Sequence, residues 1–244
     1  IRSTVASTAG QLQLDAGGTQ TLDYLDVQDS DASGGQQLLC FASSESCTDS
    51  GNNTNWDFKF GWQEESFSAL VSPNAMHTAD IDGDGDIDAL TSAFSGGPLW
   101  WYENDGASVP SFFGRSVGSL AGATDISSAD IDGDGDEDVI GVGQSAATVA
   151  WFENDGDLPP SWTQRNVDTG LTSAFDAHGV DIDNDGDIDI VGGSFGGGSA
   201  GVYWYESDGA NPHGWTKRTV STTATSYVHS DDVDGDGDID VLAA

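Results

Sequence analysis

From about residue 60 to the end of the chain, short apolar runs alternate with polar, glycine-rich interruptions, and the alternation repeats about every 50 residues. Acidic loops are followed by partly alternating apolar segments such as Ile87-Asp-Ala-Leu90 and Ile188-Asp-Ile-Val191, a pattern that predicts a strand. A glycine-rich turn then leads to an aromatic segment that ends in an acidic turn. These read Trp100-Trp-Tyr-Glu-Asn-Asp-Gly106, Trp151-Phe-Glu-Asn-Asp-Gly156 and Tyr203-Trp-Tyr-Glu-Ser-Asp-Gly209. Eleven residues beyond Trp101, Trp151 and Trp204 come Phe112, Trp162 and Trp215, each opening a further short strand with a basic residue in register (Arg115, Arg165, Arg218). Trp62–Phe67 fits the same place ahead of the first loop.

The aromatic segment is apolar on both faces, with Val202 and Trp204 on one and Tyr203 and Tyr205 on the other. A strand of that kind has to be covered from both sides. Each unit therefore holds four short strands: one before the acidic loop, one after it, the Trp strand and an outer strand. Four-stranded sheets that cover one another's faces are propeller blades. The predicted fold class is all-β, a β-propeller-type array of four-stranded blades. A parallel β-helix would need shorter rungs, and a two-sheet sandwich would not repeat at this period.

The acidic loop occurs four times, with first residues 50, 51 and 51 positions apart. Its aspartates are Asp80, Asp82, Asp84, Asp86 and Asp88; Asp130, Asp132, Asp134, Asp136 and Asp138; Asp181, Asp183, Asp185, Asp187 and Asp189; and Asp232, Asp234, Asp236, Asp238 and Asp240. Counting the first Asp as position 1, the carboxylates at 1, 3, 5 and 9 and the carbonyl at 7 can supply the six or more oxygen ligands that Ca²⁺ takes. No nitrogen or sulfur is present to favour zinc or copper. Position 6 is glycine in all four copies, and position 4 is Gly83, Gly133, Asn184 and Gly235, where Asn is the usual substitute at positive φ. An EF-hand needs Glu at position 12, whereas Thr91, Gly141, Gly192 and Ala243 stand there. About four Ca²⁺ sites are expected.

The Asp-x-Asp-x-Asp-Gly-x-x-Asp loop with the Trp-Tyr-Glu-Asn-Asp-Gly strand resembles the FG-GAP/VCBS repeats of integrin-α propellers and of many secreted proteins, over residues of about 60 to 244. The resemblance implies a calcium loop joining the innermost strand of a blade to the next one out. It also implies propellers that commonly have seven blades. Glu137 departs from the apolar residue otherwise found at position 8. Residues 57–244 are read as the propeller repeats, the last blade incomplete, and residues 1–56 as an N-terminal arm with a degenerate blade or a cap, since Asp26 lies 54 residues before Asp80 without a full set of carboxylates behind it. The chain is then a fragment of a longer protein, or borrows its missing strands from its own N-terminus or a neighbour. Strand addition between chains would make a homo-polymer.

Charge narrows the partners. Forty-two acidic against six basic residues give −36, and four dications would leave about −28. That balance argues against nucleic acid or an anionic membrane as a partner. No run approaches the roughly 18 apolar residues of a membrane helix, so membrane insertion is not expected. Cys40 and Cys47 are read as a disulfide, with two free thiols as the alternative, and Asn52 opens a lone glycosylation sequon. Chain start at Ile1 suggests a processed chain or a fragment. Together these features predict an extracellular or cell-surface location.

Chemistry beyond the loops is sparse. His77, His178 and His229 each precede a loop by three residues; the resemblance implies that they sit on innermost strands, where they are read as polar residues, with a transition-metal or acid–base role as the sharper reading. The three in-register arginines are read as pairing with adjacent acids, with anionic-glycan binding as the alternative. No nucleophile elbow, phosphate loop or zinc-protease pair is present. The expected function is non-catalytic: adhesion, cell-surface or matrix and filament assembly, with other protein subunits or extracellular glycans as partners. A carbohydrate-active enzyme, or its glycan-binding module, is the alternative.

Overall fold

The computed structural model describes residues 72–107, 110–210 and 213–244, and before residue 72 only the backbone of six short strands. The chain divides into two units, Ile1–Ser66 and Phe67–Ala244. In the first, β1 (Gly10–Gln11) pairs in parallel with β3 (Ser30–Asp31), β2 (Leu25–Val27) with β5 (Cys47–Asp49), and β4 (Leu38–Phe41) with β6 (Trp56–Lys59). The side chains of Cys40 and Cys47, the whole of Asn52, and the Trp62–Phe67 strand lie outside the described residues.

The second unit is built from antiparallel meanders. Blade 1 comprises β7 (Pro73–Ala79), β8 (Asp88–Ala93), β9 (Pro98–Asn104) and β10 (Phe112–Ser119). Blade 2 comprises β11 (Ala123–Ala129), β12 (Asp138–Gly143), β13 (Thr148–Asn154) and β14 (Trp162–Asp168). Blade 3 comprises β15 (Ala174–Val180), β16 (Asp189–Ser194), β17 (Gly201–Ser207) and β18 (Trp215–Ser221). A fourth sheet consists of β19 (Val228–Asp231) paired with β20 (Asp240–Ala243). No α-helix occurs among the described residues, and no helix there is long and apolar enough to cross a membrane.

Burial explains the strand compositions. Every residue of β8, β12 and β16 is buried, and β12 and β16 lie between neighbouring sheets on both sides. The outer strands β10 and β18 are mostly exposed and β14 is exposed to half-buried, and all three carry polar residues. The core lies between blades rather than within any one of them. One cluster joins Leu90, Leu99 and Trp101 of blade 1 to Ile126, Val139, Ala150 and Phe152 of blade 2. The next joins Ile140, Val142 and Trp151 to Ala174, Ala177, Ile190 and Tyr205 of blade 3. Gly141 shows how close the sheets come: a Cβ there would lie 2.8 Å from Leu99 Cδ1 of the preceding blade.

The first strands, β7, β11, β15 and β19, run side by side in successive blades. Side chains knit them together. Asn74 Nδ2 donates to Thr124 O at 2.7 Å, Ser127 Oγ to Ala177 O at 2.9 Å, and His178 Nε2 meets Ser230 Oγ at 2.8 Å. Each of the first three has a bulge near its start, at Asn74, Thr124 and Phe175. This stacking places all four acidic loops at the same end of their first strands.

Candidate metal centres

Each loop connects a first strand to the second strand of its blade, so the ladder on either side fixes its ends. Between those ends the chain must reverse, and it does so with positive φ at positions 4 and 6. Position 6 has φ between 95° and 100° in all four loops, and Asn184 takes φ 58° where the other copies have glycine. The turn aims carboxylates inward and gives each a backbone donor. Asp80 Oδ2 accepts from Gly85 N at 3.0 Å, and Asp84 Oδ1 accepts from Asp86 N at 2.9 Å. The same pair of bonds recurs in the second, third and fourth loops.

Four carboxylate triads result, each with oxygens within 4.8 Å of one another: Asp80, Asp82 and Asp84; Asp130, Asp132 and Asp138; Asp181, Asp183 and Asp189; Asp232, Asp234 and Asp240. Each could hold a metal ion. The donor set is all oxygen, and Asp80, Asp82, Asp130 and Asp132 each keep a buried Oδ1 with no hydrogen-bond partner. Unsatisfied buried carboxylate oxygens crowded together are costly unless a cation joins them. Burial, then the charges of Asp88 and Asp84, pushes Asp82 up to about 6. Asp132 is raised as well, by burial and by Asp134. The residues therefore fit a hard divalent cation.

Position 9 lines the triad in loops two to four but not in the first, and in the first three blades it has another task. Asp88 Oδ2 accepts from the Trp101 indole at 2.8 Å and from Ile81 N at 3.2 Å, and its Oδ1 accepts from Asn104 N at 2.8 Å. One buried carboxylate thus ties the loop, the Trp strand and the acidic turn together. Asp138 accepts from Ile131 N and Asn154 N, but the Trp151 indole nitrogen is left without a partner. Burial, with a further push from the charges of Asp132 and Asp134, raises Asp138 to about 8. Asp189 takes Ile182 N and Ser207 N in the third blade.

Position 7 behaves differently. The side chains of Asp86, Asp136 and Asp187 belong to no triad. They lie against Gly106, Gly156 and Gly209 of the acidic turn, where a Cβ would come within 2.0, 2.4 and 2.2 Å of their Oδ2 atoms. The glycine that ends each Trp-strand motif lets the turn close over the loop.

The other candidate residues have plainer surroundings. Arg115, Arg165 and Arg218 pair across the sheet with Glu103, Glu153 and Glu206 and lie 5.6, 5.7 and 5.1 Å from the ring centres of Trp101, Trp151 and Trp204. His178 and His229 approach to 6.1 Å between ring centres, and burial lowers His77 and His178 below the ordinary imidazole value. Sequence reading passed over Asp125 and Asp176, which line a cleft of about 80 Å³ with Asn74, Thr124, Phe175 and Tyr227. Their only sequence signal is a shared position five residues before loops two and three. Asp125 accepts from Ala177 N at 3.1 Å and Asp176 from Val228 N at 2.7 Å, each reaching into the following blade.

Stacked antiparallel blades with a carboxylate loop between first and second strands define a propeller-type repeat protein with candidate metal loops. The chain belongs to the FG-GAP-like repeat family, whose model matches residues 80–141, 130–192 and 181–243, each match running from one loop through the next. No curated protein matches it in sequence. Among solved structures it is similar to an Agrocybe aegerita lectin described for specific recognition of non-reducing terminal N-acetylglucosamine, at 20% identity over 75% of this chain and 48% of that one, with a TM-score of 0.49. It is also similar to the V. cholerae biofilm matrix protein Bap1, at 20% identity over 75% of this chain and 30% of that one, with a TM-score of 0.37. The chain therefore spans less than half the length of either.

Proposed function

We propose that the four loops bind Ca²⁺ and that the chain is a calcium-stabilised propeller array of an extracellular, non-catalytic binding protein. The observation that carries this reading is the set of buried, unpartnered carboxylate oxygens of Asp80, Asp82, Asp130 and Asp132 inside turns that hold them a few ångströms apart. In the first loop Asp80, Asp82 and Asp84 would supply ligands, and Asp88 would orient the loop. In the other three, positions 1, 3 and 9 would do so. When bound, Ca²⁺ would neutralise the cluster and fix the loop between two strands. Extracellular calcium, near millimolar, suits sites of this kind.

A charge of −36 supports a salty, calcium-containing compartment over one that relies on basic partners. Adhesion, or assembly with other protein subunits or extracellular glycans, is the role this architecture serves best. Calcium titration of the chelated chain by calorimetry tests the metal reading, with about four sites expected and no detectable heat overturning it. Retention of the chain on immobilised polysaccharides or matrix extracts, in calcium and then in chelator, tests the binding role. Calcium-dependent retention without turnover of the polymer is expected, and release of shortened polysaccharide products would contradict it.

A further inference from the structure

The loops are not isolated from one another, and two of the residues that join them, Asn154 and His213, lie outside the loops themselves. Asn154 ends β13 of blade 2 and is 2% exposed. Its backbone N donates to Asp138 Oδ1 at 2.8 Å, inside its own blade's triad. Its side-chain Nδ2 donates to Glu137 O at 3.2 Å in that same loop, and to Ile81 O at 3.0 Å in the loop of blade 1. Ile81 is position 2 of loop 1, flanked by the triad residues Asp80 and Asp82. Its side chain is 1% exposed, in the core shared with blade 2. Loop 1 is thus gripped by the next blade through both its apolar side chain and its carbonyl.

The next pair of loops is joined by a different residue in the equivalent place. Blade 3 has Ser207 where blade 2 has Asn154. Ser207 N still donates to Asp189 Oδ1 at 2.8 Å, and Ser207 Oγ still accepts from Gly209 N at 3.2 Å, as Asn154 Oδ1 does from Gly156 N. The serine has no second arm to reach back. Instead His213, in the same acidic turn, places Nε2 3.1 Å from Ile131 O, the position-2 carbonyl of loop 2, which can only accept. The ring sits between Trp151 of blade 2 and Trp215 of blade 3, at 5.8 and 5.9 Å. A third link, Asn184 Nδ2 to Gly237 O at 3.3 Å, joins loop 3 to loop 4.

We propose that Asn154 and His213 are positioning residues that couple calcium binding between neighbouring blades, so that filling one loop raises the affinity of the loop before it. This rests on the calcium reading above. The path is contiguous: an ion in triad 2 fixes Asp138, Asp138 holds the backbone of Asn154, and Asn154 holds the carbonyl between Asp80 and Asp82. Linkage makes the effect reciprocal, so an ion in triad 1 tightens triad 2 by the same factor. His213 acts between triads 2 and 3 from the turn that follows Ser207: its ring nitrogens face Ile131 O of loop 2 and Ala210 O of that turn, and Ser207 N holds Asp189 of triad 3.

Asn154→Ser is the discriminating variant, because Ser207 shows that serine preserves this turn while losing the reach to the neighbouring loop. In the full chain, hydrogen exchange of the peptide spanning loop 1 is followed against free calcium, which gives the midpoint of site 1 separately from the rest. In the otherwise unaltered protein, Asp132→Asn, which removes a ligand of site 2, should raise the site 1 midpoint by about fivefold or more. In the Asn154→Ser background the site 1 midpoint should already be raised, and Asp132→Asn should no longer move it. An equal response to Asp132→Asn in both backgrounds, or no response in either, overturns the coupling while leaving calcium binding intact. Loss of protection that never returns at any calcium level would overturn the calcium reading itself. Should Asp132→Asn fail to fold, the steepness of the loop 1 transition replaces it: steeper than one-site binding in the unaltered chain and one-site in Asn154→Ser supports the coupling, and equal steepness overturns it.

Discussion

At the scale of single residues, two kinds of position are sensitive for opposite reasons. Gly156 sits at φ 68° with a Cβ position 2.4 Å from Asp136 Oδ2. Gly156→Ala meets both a left-handed backbone and a carboxylate, and should cost about 1–3 kcal/mol in denaturant unfolding at saturating calcium. An unchanged midpoint would show that the turn does not press on the loop. Asp125 is the other kind. Burial, then its hydrogen bond and charge interaction with Asp176, pushes it up to about 8, and two carboxyls can share that bond only through a proton. His178 faces Asp176 as well, and is itself held below the ordinary imidazole value by burial.

A folded pKa raised above the unfolded one gives stability that is complete below about pH 4 and disappears as pH rises toward 8. Asp125→Asn keeps an acceptor for Ala177 N and a donor for Asp176 without needing the proton. The melting temperature of the variant relative to the unaltered protein should therefore climb between about pH 4 and 8 in saturating calcium. Parallel curves would contradict the shared proton.

At the scale of elements, the strand pattern was largely legible because each blade repeats its signals in register. The acidic loop, the aromatic strand and the outer strand with Arg115, Arg165 or Arg218 each recur at intervals of about 50 residues, so three copies correct one another. Position 7 was harder to read: all five aspartates alternate alike, and only the fold shows that Asp86, Asp136 and Asp187 turn toward the glycine of the acidic turn. Contacts between blades were not legible, since Asn154 to Ile81 spans 73 residues and His213 to Ile131 spans 82. Periodicity reports what repeats within a blade, not which atom of the next blade it touches. The same distinction sets two element-scale magnitudes. Arg165→Ala removes an ion pair and a ring contact at side chains 35% and 22% exposed, and should cost about 1 kcal/mol or less. Gly141→Ala places a methyl 2.8 Å from Leu99 across the blade interface and should cost more, about 1–3 kcal/mol. The reverse order in thermal unfolding would mean that the blades are held by their outer edges rather than by the core between them.

At the scale of the whole molecule, stability and charge are set against each other. Twenty loop aspartates contribute most of the net −36, and they lie at the same end of neighbouring blades, where mutual repulsion opposes the stacking that buries the core. Cations at the triads would remove that conflict at its source. Each site that binds only the folded state adds about 2.7 kcal/mol at a hundredfold excess over its Kd. The most direct measurement is therefore thermal unfolding of the chain across a calcium series that begins in chelator. Calcium-filled loops predict a melting temperature that is low in chelator, rises steadily with calcium through the range where the sites fill, and falls again when chelator is restored. A melting temperature indifferent to chelation and to added calcium would contradict it.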